Sequence, residues 1–356
     1  MPGIRQAAHA LVALSAVVAA LAPRPETLVE RGYGHAFYPP LQAFLTGASN
    51  TVPVAVFDLV VVAAAGLVIW WWSGAAGALW RRRDWRPAGR ALRATITAVA
   101  IAYLWFLTTW GLNYARPPID VRLALATSVP TANEVAALLD EAVAAANRLH
   151  APGSADAAAS PADVDIATAL HAVEARHGRP RPTVTGRPKP TLLAPYFRMA
   201  GVDGLTAPLA LETLLNPDLT AAERPFVLAH EWAHLAGYAP EADANFVAWL
   251  VTQEPSARRA TRYSGWLFLV NEAARQVPPE TRRSSLAALG PGPRQDLAAI
   301  TRRMATRVDL VERAGWRVYD SYLRSQGVDD GLRSYSRVVE LIVRARRSGA
   351  RPAVPQ

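Results

Sequence analysis

The chain has 356 residues, of which 51% are hydrophobic, 8% aromatic and 19% charged, with 38 Lys and Arg against 29 Asp and Glu. It contains no cysteine, which excludes a disulfide framework, thiolate zinc fingers, iron–sulfur clusters and a cysteine nucleophile. A metal in this protein must be held by His, Asp or Glu, and a net charge of +9 raises nucleic acid as a partner until the charge is located.

Three N-terminal stretches carry almost no charge: residues 6–22, residues 51–72 with only Asp58, and residues 94–114. A helix of about 20 apolar residues spans a bilayer core, so the second and third qualify and the first lies at the lower limit. Trp70, Trp71, Trp72, Trp80, Trp85, Trp105 and Trp110 fall at or near the ends of the second and third stretches, as an interfacial belt would. The first stretch also fits a cleaved signal peptide, because Ala20-Leu21-Ala22 is a small-residue cleavage pattern. Pro23 is a poor residue to follow a cut, so the reading is an uncleaved anchor, and residues 1–115 form a membrane anchor of three transmembrane helices.

Between the second and third stretches stand Arg81, Arg82, Arg83, Arg86, Arg90 and Arg93 against Asp84, whereas Arg24 and Arg31 balance Glu26 and Glu30 in the loop before. The positive-inside rule places the Arg-rich loop in the cytoplasm. The protein is then multi-pass in the cytoplasmic (inner) membrane, with everything after Tyr114 extracytoplasmic. So short a loop offers little surface to a duplex, and snorkelling onto anionic headgroups explains it better; the lipid bilayer is the partner and nucleic acid is not. Asp58 reads either as an intramembrane acid or, preferably, as an interfacial residue bonded to a neighbour.

Residues 116–356 contain no run of membrane length and suffice for one substantial domain. A capping box, Thr131-Ala-Asn-Glu134, opens a helix through about Leu149, and a second helix ends near His177. Between them, residues 151–163 are rich in Ala, Ser, Pro and Gly and read as a loop. Leu205 to Leu211 is an apolar stretch that can be an edge strand, where Pro208 is tolerated. From Glu241 to Arg346 the pattern is helical, broken at Pro255, Pro278–Pro279, Gly290–Pro293 and Gly327. The fold class is mainly α with a small β-sheet or hairpin.

The informative segment is Thr220 to Tyr238. Thr220 and Glu223 have capping-box spacing, and on the helix that follows, His230 and His234 stand at i and i+4 on one face, where both imidazoles reach one ion. Glu231 is one position round, placed to take a proton from an activated water without being a ligand. This is the His-Glu-x-x-His arrangement of zinc hydrolases. Tetrahedral Zn2+ needs a third protein ligand to leave one position open. Glu241 is seven residues beyond His234, about 10 Å along a continuing helix, but Gly237 and Pro240 stop the helix and let the chain turn back. Asp243 is the alternative ligand, or a residue that holds His230 or His234 from behind. The competing reading, an apolar core helix with two incidental histidines, would bury unpartnered polar groups at a cost of several kcal/mol.

An apolar strand-like segment, a His-Glu-x-x-His helix and then Glu241-Ala-Asp-Ala-Asn245 resemble gluzincin membrane peptidases of the prenyl-protease and heat-shock-protease type, with Asn245 where those usually carry Asp. More closely, the chain resembles a bacterial membrane zincin-like family, domain of unknown function 3810. The residues that carry this are Trp110-Gly-Leu-Asn-Tyr114 with Arg116, Gly201-Val-Asp-Gly204, His230-Glu-Trp-Ala-His234, Glu241 through Phe246, Tyr263-Ser-Gly265 and Tyr319-Asp320. The resemblance implies a zincin-like domain with the same ligands and names no substrate.

The expected activity is that of a zinc metallopeptidase acting on a peptide or protein, with His230, His234 and Glu241 as metal ligands and Glu231 as general base. The segment around Leu205–Leu211 is a candidate for strand addition by an extended substrate, a role taken from the gluzincin resemblance. Tyr238, Arg262, Tyr263 and Tyr335 could donate to an oxyanion, but each reads first as a core or surface residue. His9, His35, His150, His171 and His177 have no ligand spacing. A motif inside a membrane helix is excluded because Phe226–Tyr238 is too short to span. A structural or vestigial zinc site, and hydrolysis of a non-peptide, stand as alternatives.

Overall fold

The computed structural model describes residues 2–151, 162–179, 181–325 and 337–349. The loop expected over residues 151–163 lies mostly outside these, as do Gly327 and Tyr335. The described chain is mainly helical with one two-stranded sheet.

Helix α1 (Pro2–Leu21) is followed by a break at Pro23 and Pro25, a short α2 (Glu26–Leu28), a π-helical stretch Val29–Phe37 and α3 (Tyr38–Asn50). Two helices, α4 (Val56–Arg82) and α5 (Arg86–Thr109), are long and apolar enough to cross a membrane; α1 meets that criterion only with Glu26–Asn50 as a pair bent by 113°. Of the three expected N-terminal spans, the second and third are thus helices long and apolar enough to cross, whereas α1 alone is not, because Pro23 and Pro25 stop its helical hydrogen bonding short. Large apolar side chains such as Leu14, Ile69 and Val99 are exposed on these helices, a surface suited to lipid rather than water.

The span boundaries move relative to the sequence expectation. Thr51–Ala55 is a turn, so α4 starts at Val56 and Asp58 lies in its first turn. There Asp58 accepts from Thr191 Oγ1 at 2.9 Å and Leu192 N at 2.7 Å, the neighbour-bonded reading. Arg83 takes the left-handed conformation that ends α4, and Asp84 accepts from Arg86 N at 3.0 Å to start α5. Helix α1 runs parallel to α5, with His9 Nδ1 2.7 Å from Thr97 Oγ1 and Arg24 Nη2 3.4 Å from Tyr103 OH.

After α5 come a 3-10 turn (Gly111–Ala115), α6 (Ile119–Arg122), α7 (Ala132–Leu149) and α8 (Ala162–Arg176). Thr131 and Glu134 cap α7 reciprocally. Next are α9 (Ala194–Ala200), β1 (Gly204–Ala207) and β2 (Glu212–Leu215), then α10 (Arg224–Leu235), α11 (Glu241–Thr252), α12 (Arg259–Ala274), α13 (Pro279–Ala287), α14 (Pro291–Met304), α15 (Asp309–Ser325) and α16 (Arg337–Arg347). Only the first part of the apolar stretch Leu205–Leu211 is strand. Pro208 sits in the hairpin turn instead, where its missing N–H costs nothing, and Leu211 takes a positive φ of 49°.

The core gathers α7, α8, α10, α11, α12 and α16 around fully buried Leu139, Leu170, Leu228, Leu235, Phe246 and Trp249. Val29, Tyr33 and Tyr38 belong to the same cluster. Residues 29–50, assigned by sequence to the anchor, thus pack into the larger domain, and the division at residue 115 is not a division of the core. The hairpin is tied to both apolar helices. Glu212 accepts from Val56 N (2.9 Å) and Phe57 N (2.7 Å) at the start of α4 and is paired with buried Lys189 at 2.5 Å. In the turn, Pro208 O accepts from Thr109 Oγ1 (3.0 Å) and Leu209 O from Trp105 Nε1 (2.9 Å), both on the last turns of α5.

Candidate metal centre

Helix α10 begins at Arg224 with Pro225 in its first turn, where a missing N–H is harmless; upstream, Glu223 Oε2 accepts from Thr220 N at 3.0 Å. Its other end is a Schellman turn: Gly237, at φ 84°, donates to His234 O and Tyr238 N donates to Ala233 O. The turn lets Pro240 start α11 with Glu241 as its first residue. Glu241 thereby returns beneath the two histidines. Its Oε2 lies 3.3 Å from His230 Nε2 and 3.6 Å from His234 Nε2, and one donor atom from each of the three residues lies within 4.8 Å of the others.

The second histidine is oriented from behind. His234 Nδ1 is 2.8 Å from Tyr238 O, a carbonyl partner that makes Nδ1 the protonated nitrogen and leaves the Nε2 lone pair toward Glu241. His230 Nδ1 is buried with no hydrogen-bond partner among the described residues, and its ring packs edge-on to that of His234 at 4.6 Å. Burial disfavours charge on His234, but the Glu241 carboxylate outweighs it and raises the imidazole to about 9, while Glu241 is held well below its ordinary value. The field at this point favours a cation, and two imidazoles with one carboxylate form a donor set suited to zinc. The residues present fit the ion.

Glu231 is buried beside the cluster. Thr206 Oγ1 lies 2.8 Å from Glu231 Oε2, so β1 sets the rotation of the carboxylate. Gly204 makes room for it, since a Cβ there would stand 2.5 Å from Glu231 Oε1. Burial pushes the Glu231 carboxyl above its ordinary value, against the two histidines, and so makes it a stronger base.

The remaining candidates separate. Asp243 turns away from the histidines to accept from Ile119 N at 3.0 Å, and burial pushes it up to about 7. Tyr263 OH donates to Asp296 Oδ2 at 2.5 Å, and the ring of Tyr238 lies 4.7 Å beneath the Arg122 guanidinium. Tyr335 lies outside the described residues. Neither Tyr238, Arg262 nor Tyr263 lines the cavity above the cluster, whereas Asn245, one turn beyond Glu241, does. That cavity has a volume of about 2180 Å³, with Trp110, Phe197, Leu205, Phe226, Phe268 and Arg303 among its walls.

Sequence reasoning missed the residues that hold the end of α10. The last carbonyls of a helix lack intrahelical partners; the terminating turn takes Ala233 O and His234 O, and the carbonyls of Leu235, Ala236 and Gly237 are met from elsewhere in the chain. Tyr38 OH donates to Leu235 O at 3.0 Å, Arg179 to Ala236 O, and Arg116 Nη1 to Gly237 O at 3.2 Å. Arg116 is fixed in turn by Glu30 at 2.6 and 2.9 Å. A Cβ on Gly237 would meet Arg116, Asn113 and Tyr38. Arg116 follows the Trp110–Tyr114 pattern, but nothing in the sequence marks Tyr38 or Arg179, whose contacts with this helix end are to backbone atoms.

Comparison with curated proteins and with solved structures gives no match. Residues 33–343, most of the chain, match the model of the family described as protein of unknown function (DUF3810), and the chain belongs to that family.

Proposed function

We propose that this protein is a membrane-anchored, zinc-dependent metallopeptidase of gluzincin-like type. In this reading α1, α4 and α5 cross the cytoplasmic membrane and the remaining domain is extracytoplasmic. The observation that carries the chemistry is the convergence of His230, His234 and Glu241 beside a buried, separately oriented Glu231. A structural zinc site needs no such acid.

His230 Nε2, His234 Nε2 and a Glu241 oxygen would hold the ion. Zinc, when bound, supplies Lewis acidity that acidifies a water and polarises a carbonyl. Glu231 takes the proton as the water oxygen adds to the peptide carbonyl carbon, and returns it to the leaving nitrogen as the C–N bond breaks. Thr206 keeps that carboxylate in one rotation throughout. The cavity is about twice the largest usual small-molecule site, which supports a polymeric substrate.

Two features support the orientation. The Arg-rich turn between α4 and α5 lies at the far end of both helices from the domain, and residues 26–50 pack with residues after 116, as one side of the membrane requires. A periplasmic reporter fused at the C-terminus should be active; an active cytoplasmic reporter there would overturn the sidedness.

The chemistry is tested on detergent-purified protein by zinc content and cleavage of casein. Glu231→Gln should keep zinc and lose cleavage, and His230→Ala should lose zinc. Cleavage surviving Glu231→Gln would sink the mechanism, and full zinc in His230→Ala would sink the site.

A further inference from the structure

Strand β1 is an edge. Its one partner is β2, whose own outer side is met by the bridge between Lys189 and Leu214, and among the described residues no strand pairs with the other side of β1. That open side belongs to the cavity, which Gly204, Leu205 and Thr206 line. The reacting acid lies directly over it, with Glu231 held by Thr206 and fitted against Gly204. A peptide added along β1 by main-chain pairing would pass in front of Glu231.

The far end of the same strand is fastened to the spans. Two residues after Thr206, Pro208 O accepts from Thr109 Oγ1, and Leu209 O accepts from Trp105 Nε1. Thr109 is the last residue of α5, and Glu212 of the same hairpin caps the first turn of α4. The cavity wall on this side is Phe106 and Trp110, from the end of α5 itself. Gly204 and Thr206 are four and two residues from the tethered Pro208, which at about 3.3 Å per strand residue is about 7–13 Å. The bond to be cut therefore lies within a few extended residues of the bilayer edge.

We propose, resting on the peptidase reading above, that the substrate is the extracytoplasmic juxtamembrane segment of another membrane-anchored polypeptide, presented as a third strand on β1. Such a segment enters from the membrane end of the cavity and reaches Glu231 two to six residues after it leaves the lipid. A soluble chain has to carry an extended strand down to the lipid surface, and its binding gains nothing from the spans.

The absence of native cysteine makes this directly testable by disulfide trapping. Leu205→Cys is placed in the Glu231→Gln background, which removes cleavage from the readout, and the protein is reconstituted in phosphatidylethanolamine and phosphatidylglycerol vesicles. The probe is a synthetic peptide with a span of about 20 Leu and Ala residues, then a Gly/Ser/Ala tail carrying one cysteine at varied distance. Trapping should peak for cysteines about two to six residues beyond the span. It should exceed, by roughly tenfold or more, trapping at distant tail positions and by the same tail without a span. Val202→Cys, before β1, should move the peak outward by about three residues, and Arg283→Cys on exposed α13 should show no peak. A flat profile, or equal trapping of the tail lacking a span, overturns the proposal. Because trapping needs no hydrolysis, a positional peak together with failure of the zinc-loaded wild type to cleave the same span-bearing peptide would overturn the peptidase reading and leave only the binding of such a segment on β1 standing.

Discussion

The ring of Trp110, the first residue after α5, meets the ring of His234 edge-on with centroids 5.8 Å apart. A candidate metal ligand thus packs directly on the end of an apolar helix long enough to span. Trp110 is only 5% exposed; it is part of the domain core and not of the lipid-facing belt to which its position in the sequence assigned it. The candidate metal centre and the helix end form one packing unit.

Trp110→Ala should therefore cost about 3–5 kcal/mol of stability, the usual penalty for deleting a buried aromatic. Thermal unfolding in detergent measures it. The same variant should bind zinc more weakly in a chelator competition, because His234 loses the surface that fixes its ring. Trp110→Phe should recover most of both.

The Glu30–Arg116 pair should matter in two ways. Glu30→Gln leaves a buried guanidinium without its carboxylate, which should destabilise by about 3–5 kcal/mol. Burial pushes the Glu30 carboxyl up, but Arg116, with Arg122 and His35, outweighs it and holds the group below its ordinary 4.5. A depressed acid contributes stability above its unfolded pKa and loses it as pH falls through the lower, folded value. The melting temperature should drop on acidification below about pH 4.5, and the Glu30→Gln variant should lose less over that window.

Gly204→Ala tests the placement of Glu231, the proposed general base, apart from the proposed ligands. The new Cβ would stand 2.5 Å from Glu231 Oε1, so strand or carboxylate must move. Casein hydrolysis should fall by roughly a hundredfold, the scale of an ångström misplacement. Zinc content should stay at the wild-type level, and a parallel loss of zinc would contradict the division of roles.

Metal removal should lower stability by mass action. At zinc concentrations about 100 times the dissociation constant, the bound form gains about 2.7 kcal/mol. Chelation should therefore lower the melting temperature of the wild type. His234→Ala and Glu241→Gln should melt at the same temperature with and without zinc, since neither completes the donor set.

The convergence of the His-His-Glu cluster was largely legible in the sequence. Helical spacing alone puts His230 and His234 on one face, and Gly237 with Pro240 announces the turn that returns Glu241, because the reasons are backbone ones. The sequence favoured Glu241 over Asp243 but did not hold the decisive reason. Both carboxylates open the same helix, and what turns Asp243 away is the backbone N–H of Ile119, far off in the chain. Tyr263 is committed in the same way, to Asp296, a partner distant in sequence.

By itself the sequence determined the properties that depend on near neighbours along the chain: the apolar stretches, the arginine-rich turn between two of them, the absence of thiol chemistry, and the His-Glu-x-x-His helix with its terminating turn. The tertiary structure decided what depends on groups distant in sequence. It placed Tyr38, Arg179 and Arg116 on the three buried carbonyls at the end of α10 and in the turn after it, drew residues 29–50 into the domain core, and set the β1 edge between Glu231 and the end of α5. Unpaired backbone groups must find partners wherever the packed chain offers them, and no local pattern records which residue will answer.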